Sequence, residues 1–438
     1  MPGPSHTPRP VGQASDLTRT GHGSAAPPAQ PALPAALASW WHPPRLAWWM
    51  LIPLAALLAL RKPDALLTPQ FWAEDGAIFM VQDEQLGLRA FFEPYNGYLH
   101  FLPRLIAWLA SHTADVAWWP AIYNGFSYIV NVALFARLAS RRVELPAKPG
   151  LMLAFVLVVG TGEVLINMTN LQWVAAFFLV LQLFTARPTT PAQRCGDLAI
   201  LLVVGLNGPF AIVLAPLFAW RAWRDRRLDD CLALGVMTAC TLVQGVLVWR
   251  TGLGVIAAPD PFRPLLFFSI LGSRLVTWTL FGPGAVRAGP IWVHAVFGAS
   301  AIATLLGWAL RADSRRPLRA VIVTAFCLVT AACLYRVRAD TWQDDNLVNG
   351  DRYFYISRVL LVWLLVLEWD ATPRAVAWTV RALCLGGVLL HVPHFIIPAL
   401  PNYRWAEHCD PIRRGVPANI STLPEGYWIE YTGRPKTP

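Results

Sequence analysis

Lysine is nearly missing from this chain. Its 438 residues include only Lys62, Lys148 and Lys436, so 33 of the 36 basic residues are arginine, and charged residues of both signs make up only 14% of the whole. So little charge excludes an ordinary soluble domain, whose surface needs far more of it. Cysteine is also sparse: seven residues, an odd number with no C-x-x-C pair, most of them inside apolar runs. That pattern excludes a disulfide framework and a zinc ribbon, and Cys409 in the C-terminal tail is left as a lone thiol. No G-x-x-x-x-G-K-[ST], H-E-x-x-H, G-x-S-x-G or G-x-G-x-x-G segment occurs, which removes nucleotide-driven pumps and the common soluble hydrolases and dehydrogenases.

What remains is hydrophobic. Residues of the apolar class reach 55%, with 21 tryptophans and a mean hydropathy of +0.44. The apolar runs are separated by short Arg-rich or Pro/Gly-rich connectors, the pattern of an all-α polytopic membrane protein. The net charge of +10 then reflects arginine retained on the cytoplasmic side, and no nucleic-acid partner is inferred from it.

Residues 1–40, rich in Pro, Ala, Gly and Ser, read as a disordered cytoplasmic leader. A transmembrane domain is expected over 41–400, with about eleven spans if alternate Arg clusters are kept on one side. Leu265–Phe281 is long enough to cross, but counting it would misplace the Arg311 cluster, so it reads as an outer, interfacial or re-entrant helix. The N-terminus is then cytoplasmic and the 401–438 tail extracytoplasmic, in a plasma (inner) membrane.

Three sizeable segments are expected on the outer side: 61–116, 335–353 and the tail. The first carries adjacent carboxylates, Glu74 and Asp75, opening a helix that ends near Phe92. A turn over Glu93–Tyr98 leads to a second helix from Leu102 to His112. Ionisable groups beside a bilayer are costly and usually serve ions, substrates or proton transfer, although an acidic N-cap would have the same sequence. The second segment places Arg338, Asp351, Arg352 and Tyr353 together. Arginine grips phosphate oxygens and aromatic faces stack on sugar rings, which suits a phosphate-linked saccharide; a solvated loop of ion pairs is the plain alternative, preferred for Asp344 and Asp345. Arg104 could reach the same cavity or snorkel to the interface. Glu163 is either a second pocket carboxylate or ordinary hairpin polarity, and His294, His391 and His394 read as packed or headgroup residues rather than ligands.

The first loop resembles the first periplasmic loop of GT-C membrane glycosyltransferases, such as protein O-mannosyltransferases and the aminoarabinose transferase of lipid A. The resemblance rests on the acidic pair, the Gly87-Leu88 step, the aromatic and Pro-containing turn, and Leu102-Pro103-Arg104-Leu105. It implies a polyprenyl-phosphate sugar as donor substrate and an extracytoplasmic glycan, lipid or protein hydroxyl as acceptor. It also implies Asp75 or Glu74 as catalytic base; from the residue chemistry, Arg104, Tyr95, Asn96, Tyr98, His100, Arg338, Asp351, Arg352 and Tyr353 are expected around the substrates. The order here is Glu then Asp, and which of them is the base stays open. No D-x-D stands in the first loop, so the expectation is a metal-independent enzyme without cofactor, a divalent metal being left open. A transporter or flippase of lipid-linked saccharide shares the cavity and the arginines but should show internal repeats and midplane charges, and neither is seen. A catalytically silent assembly protein is a third reading.

Overall fold

The computed structural model describes residues 48–158, 160, 162–252, 263–336, 350–371 and 373–433. The leader, Arg338, Asp344 and Asp345 lie outside them. The main helices are α1 (Leu51–Arg61), α2 (Phe101–Thr113), α3 (Trp119–Ala139), α4 (Lys148–Leu157), α5 (Leu171–Leu183), α6 (Pro191–Gly205) and α7 (Phe210–Asp225). They are followed by α8 (Leu228–Thr251), α9 (Pro264–Phe281), α10 (Ile291–Leu310), α11 (Arg316–Arg336), α12 (Arg352–Leu367) and α13 (Arg374–His391).

Among the described residues five helices are long and apolar enough to cross a membrane: α8, α9, α10, α11 and α13 with its following turn, Arg374–His394. Among the described residues these account for only part of the expected eleven spans. The apolar helix α4 ends at Leu157, where Val158 leaves the helical region (ψ 125°), and Gly162 and Ile166 further on take positive φ values (86° and 52°) that keep a right-handed helix from resuming. Leu171–Leu183 and Leu51–Arg61 are likewise apolar but short.

The helix expected to lie at the surface or re-enter, Leu265–Phe281, is among the five. It packs antiparallel against α10: a Cβ on Gly272 would strike the His294 carbonyl, and one on Gly298 the Phe268 carbonyl. Small residues let the two backbones approach this closely. Two of the three histidines, His294 and His391, are packed, and His394 is exposed. His294 bonds Thr277 and the Val286 carbonyl, and His391 bonds the Thr279 carbonyl.

Arginine ends of several helices gather at one pole. Arg137 and Arg142 share Asp197 (2.9 and 2.5 Å), Arg221 meets Asp230 (2.8 Å), and the fully buried Arg319 meets Glu368 (2.8 Å). A cavity of about 490 Å³ lined by Glu144, Arg187, Arg221, Arg224 and Pro317 joins these helix ends.

At the other pole the chain is not all helical. The tail folds into a short helix, Cys409–Arg413, and an antiparallel hairpin of β1 (Ala418–Thr422) and β2 (Tyr427–Tyr431), with Ile420 opposite Ile429. Alternation turns Ile420, Ile429 and Tyr431 inward and leaves Asn419, Ser421 and Trp428 outside. Cys409 is buried within this tail, its Sγ on the Trp405 carbonyl.

Candidate active site at the first loop

The first loop forms two helical pieces near the expected bounds. A wide π-turn over Asp75–Met80 tightens into Val81–Leu86 and then a 3-10 turn over Gly87–Phe92, and α2 follows. Between them Tyr95 and Tyr98 pair across Asn96-Gly97, both at positive φ (52° and 93°), the geometry of a tight hairpin turn.

Neither acidic side chain caps its own helix. Asp75 has no exposure and reaches across to the turn before α5. It accepts from Thr169 N (2.7 Å), Thr169 Oγ1 (2.5 Å) and Met168 N (3.3 Å). Burial outweighs these bonds and pushes its carboxyl up to about 7. Glu74, next in the chain, is half-buried and accepts from the Tyr95 hydroxyl at 2.9 Å. Burial, then the Glu74 charge, holds the Tyr95 hydroxyl well above the ordinary phenol range, so it remains a donor.

From Tyr95 an aromatic wall leads away from the carboxylate. Tyr95 and His100 lie 5.6 Å apart, His100 and Tyr98 4.9 Å apart, with Phe79 behind them at 6.0 Å from Tyr95 and 5.5 Å from His100. Burial, helped by Arg104, pushes His100 down to about 3, so its ring is neutral. Tyr98, raised to about 12 mainly by burial, lines a cavity of about 200 Å³ with Trp173, Phe210, Arg336 and Tyr353. The cavity is walled largely by apolar and aromatic side chains from α5, α7, α8 and α11. Asn207 fastens the loop over these helices, its side-chain oxygen accepting from Leu102 N at 3.1 Å.

No family model, curated protein or solved structure matches this chain.

The remaining expected site residues divide. Arg352 stands beside the cavity but is already engaged: it pairs with Glu163 and lies over the Tyr353 ring at 5.1 Å. Glu163 is thereby the partner of a cation and not a free pocket carboxylate. Asp351 is buried in a pair with Arg358 and does not line the cavity. Arg104 does not reach the cavity. It is 1% exposed, stacked under Phe79 at 5.2 Å and bonded to the Glu93 carbonyl at 2.9 Å, because the α2 face bearing it turns toward the loop's own core. Asn96 is exposed at the turn tip, where its role is the left-handed backbone. Among the described residues no three His, Cys, Asp or Glu side chains converge as a metal site.

Sequence reasoning missed three participants. Arg336 lies in the outer segment 335–353 but receives no role of its own there, and Trp173 receives none, although an aromatic and an arginine at the boundary of an apolar run are available signals. Thr169 stands in a polar turn whose partner, Asp75, lies 94 residues earlier in the chain, beyond the reach of local signals.

Proposed function

We propose that the chain is a multi-pass membrane glycosyltransferase of GT-C type. It moves a sugar from a polyprenyl-phosphate donor to a hydroxyl acceptor on the outer side of a plasma (inner) membrane, with a cytoplasmic N-terminus and an extracytoplasmic C-terminus. One observation carries the reading: a half-exposed carboxylate, Glu74, stands at one end of an aromatic wall whose other end opens into an apolar cavity edged by Arg336 and Tyr353.

The roles follow from the environments. Glu74 takes the proton of the acceptor hydroxyl as its oxygen bonds to the anomeric carbon, while the bond from that carbon to the phosphate oxygen breaks and polyprenyl phosphate leaves with the electron pair. Arg336, with Arg352 beside it, offsets the charge growing on the leaving phosphate. Tyr98, Trp173 and Tyr353 supply faces for the sugar ring. Asp75 positions the loop, its oxygens being occupied by the 168–169 turn.

The test is release of polyprenyl phosphate from a panel of polyprenyl-phosphate sugars by the full chain in nanodiscs, with acceptor extracts added. Turnover in the wild type that Glu74→Gln abolishes while donor binding persists supports the transferase. Donor binding with no turnover, unaffected by Glu74→Gln and Asp75→Asn, overturns it in favour of a transporter.

A further inference from the structure

The residue before the acidic pair is held in an unfavourable backbone, and the groups that hold it come from the far end of the chain. Ala73 has φ 25°, in the left-handed half of backbone space that a residue with a Cβ avoids. Its amide donates to the Leu423 carbonyl, and the Phe71 carbonyl accepts from Leu423 N (3.3 Å) and from Thr422 Oγ1 (2.7 Å). Trp72 and Leu423 thereby form a parallel bridge at the end of β1.

The second strand completes the grip from above. A Cβ on Gly76 would collide with the outer end of the Ile429 side chain, which is itself fully buried. Beyond it Gln85 donates to Thr432 Oγ1 (2.6 Å) and the Tyr431 hydroxyl meets Glu84 (3.5 Å). The approach to the hairpin is anchored as well. Trp405 packs edge-on against Phe71 (4.7 Å) and donates to the Val116 carbonyl (2.8 Å), and Arg413 bonds both oxygens of Asp115 (2.9 and 2.7 Å).

We propose that the C-terminal hairpin is a strap that sets the position of Glu74: seated, it fixes the Ala73 backbone and aims the carboxylate at Tyr95; lifted, it lets the acidic pair relax out of register with the cavity. Leu423, Thr422 and Ile429 are positioning residues in this scheme, acting through Phe71, Ala73 and Gly76. The proposal rests on the reading of Glu74 as the working carboxylate.

The pair Gly76 and Ile429 gives a test with its own rescue. In the full chain in nanodiscs, Gly76→Ala should push β2 away, raise amide hydrogen exchange over Phe71–Met80 and the hairpin together, and lower turnover of polyprenyl-phosphate sugar about 100-fold with donor KM nearly unchanged. Adding Ile429→Ala to Gly76→Ala should make room for the methyl group and restore protected exchange and most of the turnover. Unchanged exchange in Gly76→Ala, or a folded double variant that stays as exchange-labile and inactive as the single one, overturns the strap. A wild type with no turnover at all removes the transferase reading, and the exchange data then still decide whether hairpin and loop move as one.

Discussion

At Asp75 a carboxyl group without solvent contact holds the turn before α5, while its neighbour Glu74 keeps one face free and one tyrosine as partner. The two should therefore fail differently. Glu74→Gln keeps an acceptor for Tyr95 and should leave unfolding unchanged while turnover falls at least about 100-fold, the loss usual for a general base. Asp75→Asn can no longer accept on both sides and should lower stability by about 1–3 kcal/mol. The same site gives a pH signature. Burial raises the folded carboxyl from 3.8 to about 7, so between those values the folded chain holds a proton that the unfolded chain has released. Stability contributed at Asp75 is thus greatest near pH 4, declines as pH rises to about 7 and is level above it. Thermal unfolding midpoints across that range should show the decline in the wild type and a flatter profile in Asp75→Asn; identical slopes would remove Asp75 as its source.

Elements were legible where short-range signals decide them. The loop helices ended near Phe92 and began near Leu102 because Glu93-Pro94 and Asn96-Gly97 enforce a turn within a few residues. Contacts between distant segments were not legible. Nothing near Ala418 or Tyr427 tells that a hairpin forms there against residues some 350 positions earlier, since two short strands are stable only on a surface supplied by another part of the chain. Arg104 has the sequence context of a pocket residue, and only the rotation of α2 on its loop hides it. The same limit applied to α9, whose place depends on glycines in two helices matching in register. Introducing Gly272→Val or Gly298→Val should part α9 from α10 and lower detergent-solubilised stability by about 1–3 kcal/mol or more, as overpacking does; a wild-type unfolding curve for both would show that the approach is not required.

Across the whole molecule the arginine-rich helix ends gather at one pole and the loop, cavity and tail at the other. If the chain crosses the membrane in this orientation, exposed Asn96 and exposed Cys195 face opposite compartments. An impermeant maleimide added to right-side-out vesicles should label Asn96→Cys at once and reach Cys195 only after the vesicles are opened; labelling of both from one side would refute the proposed orientation.

The bond between Thr422 and Phe71 joins residues 351 positions apart, and this gives the protein a built-in order of assembly. Thr422 and Ile429 are made roughly 350 residues after the acidic pair. The helices between the two can therefore form before Thr422 and Ile429 exist, and the contacts on the acidic loop close only when the hairpin has been delivered to it. Premature termination before Ala418 would yield a chain with these helices present and a first loop without its contacts to Thr422, Leu423 and Ile429.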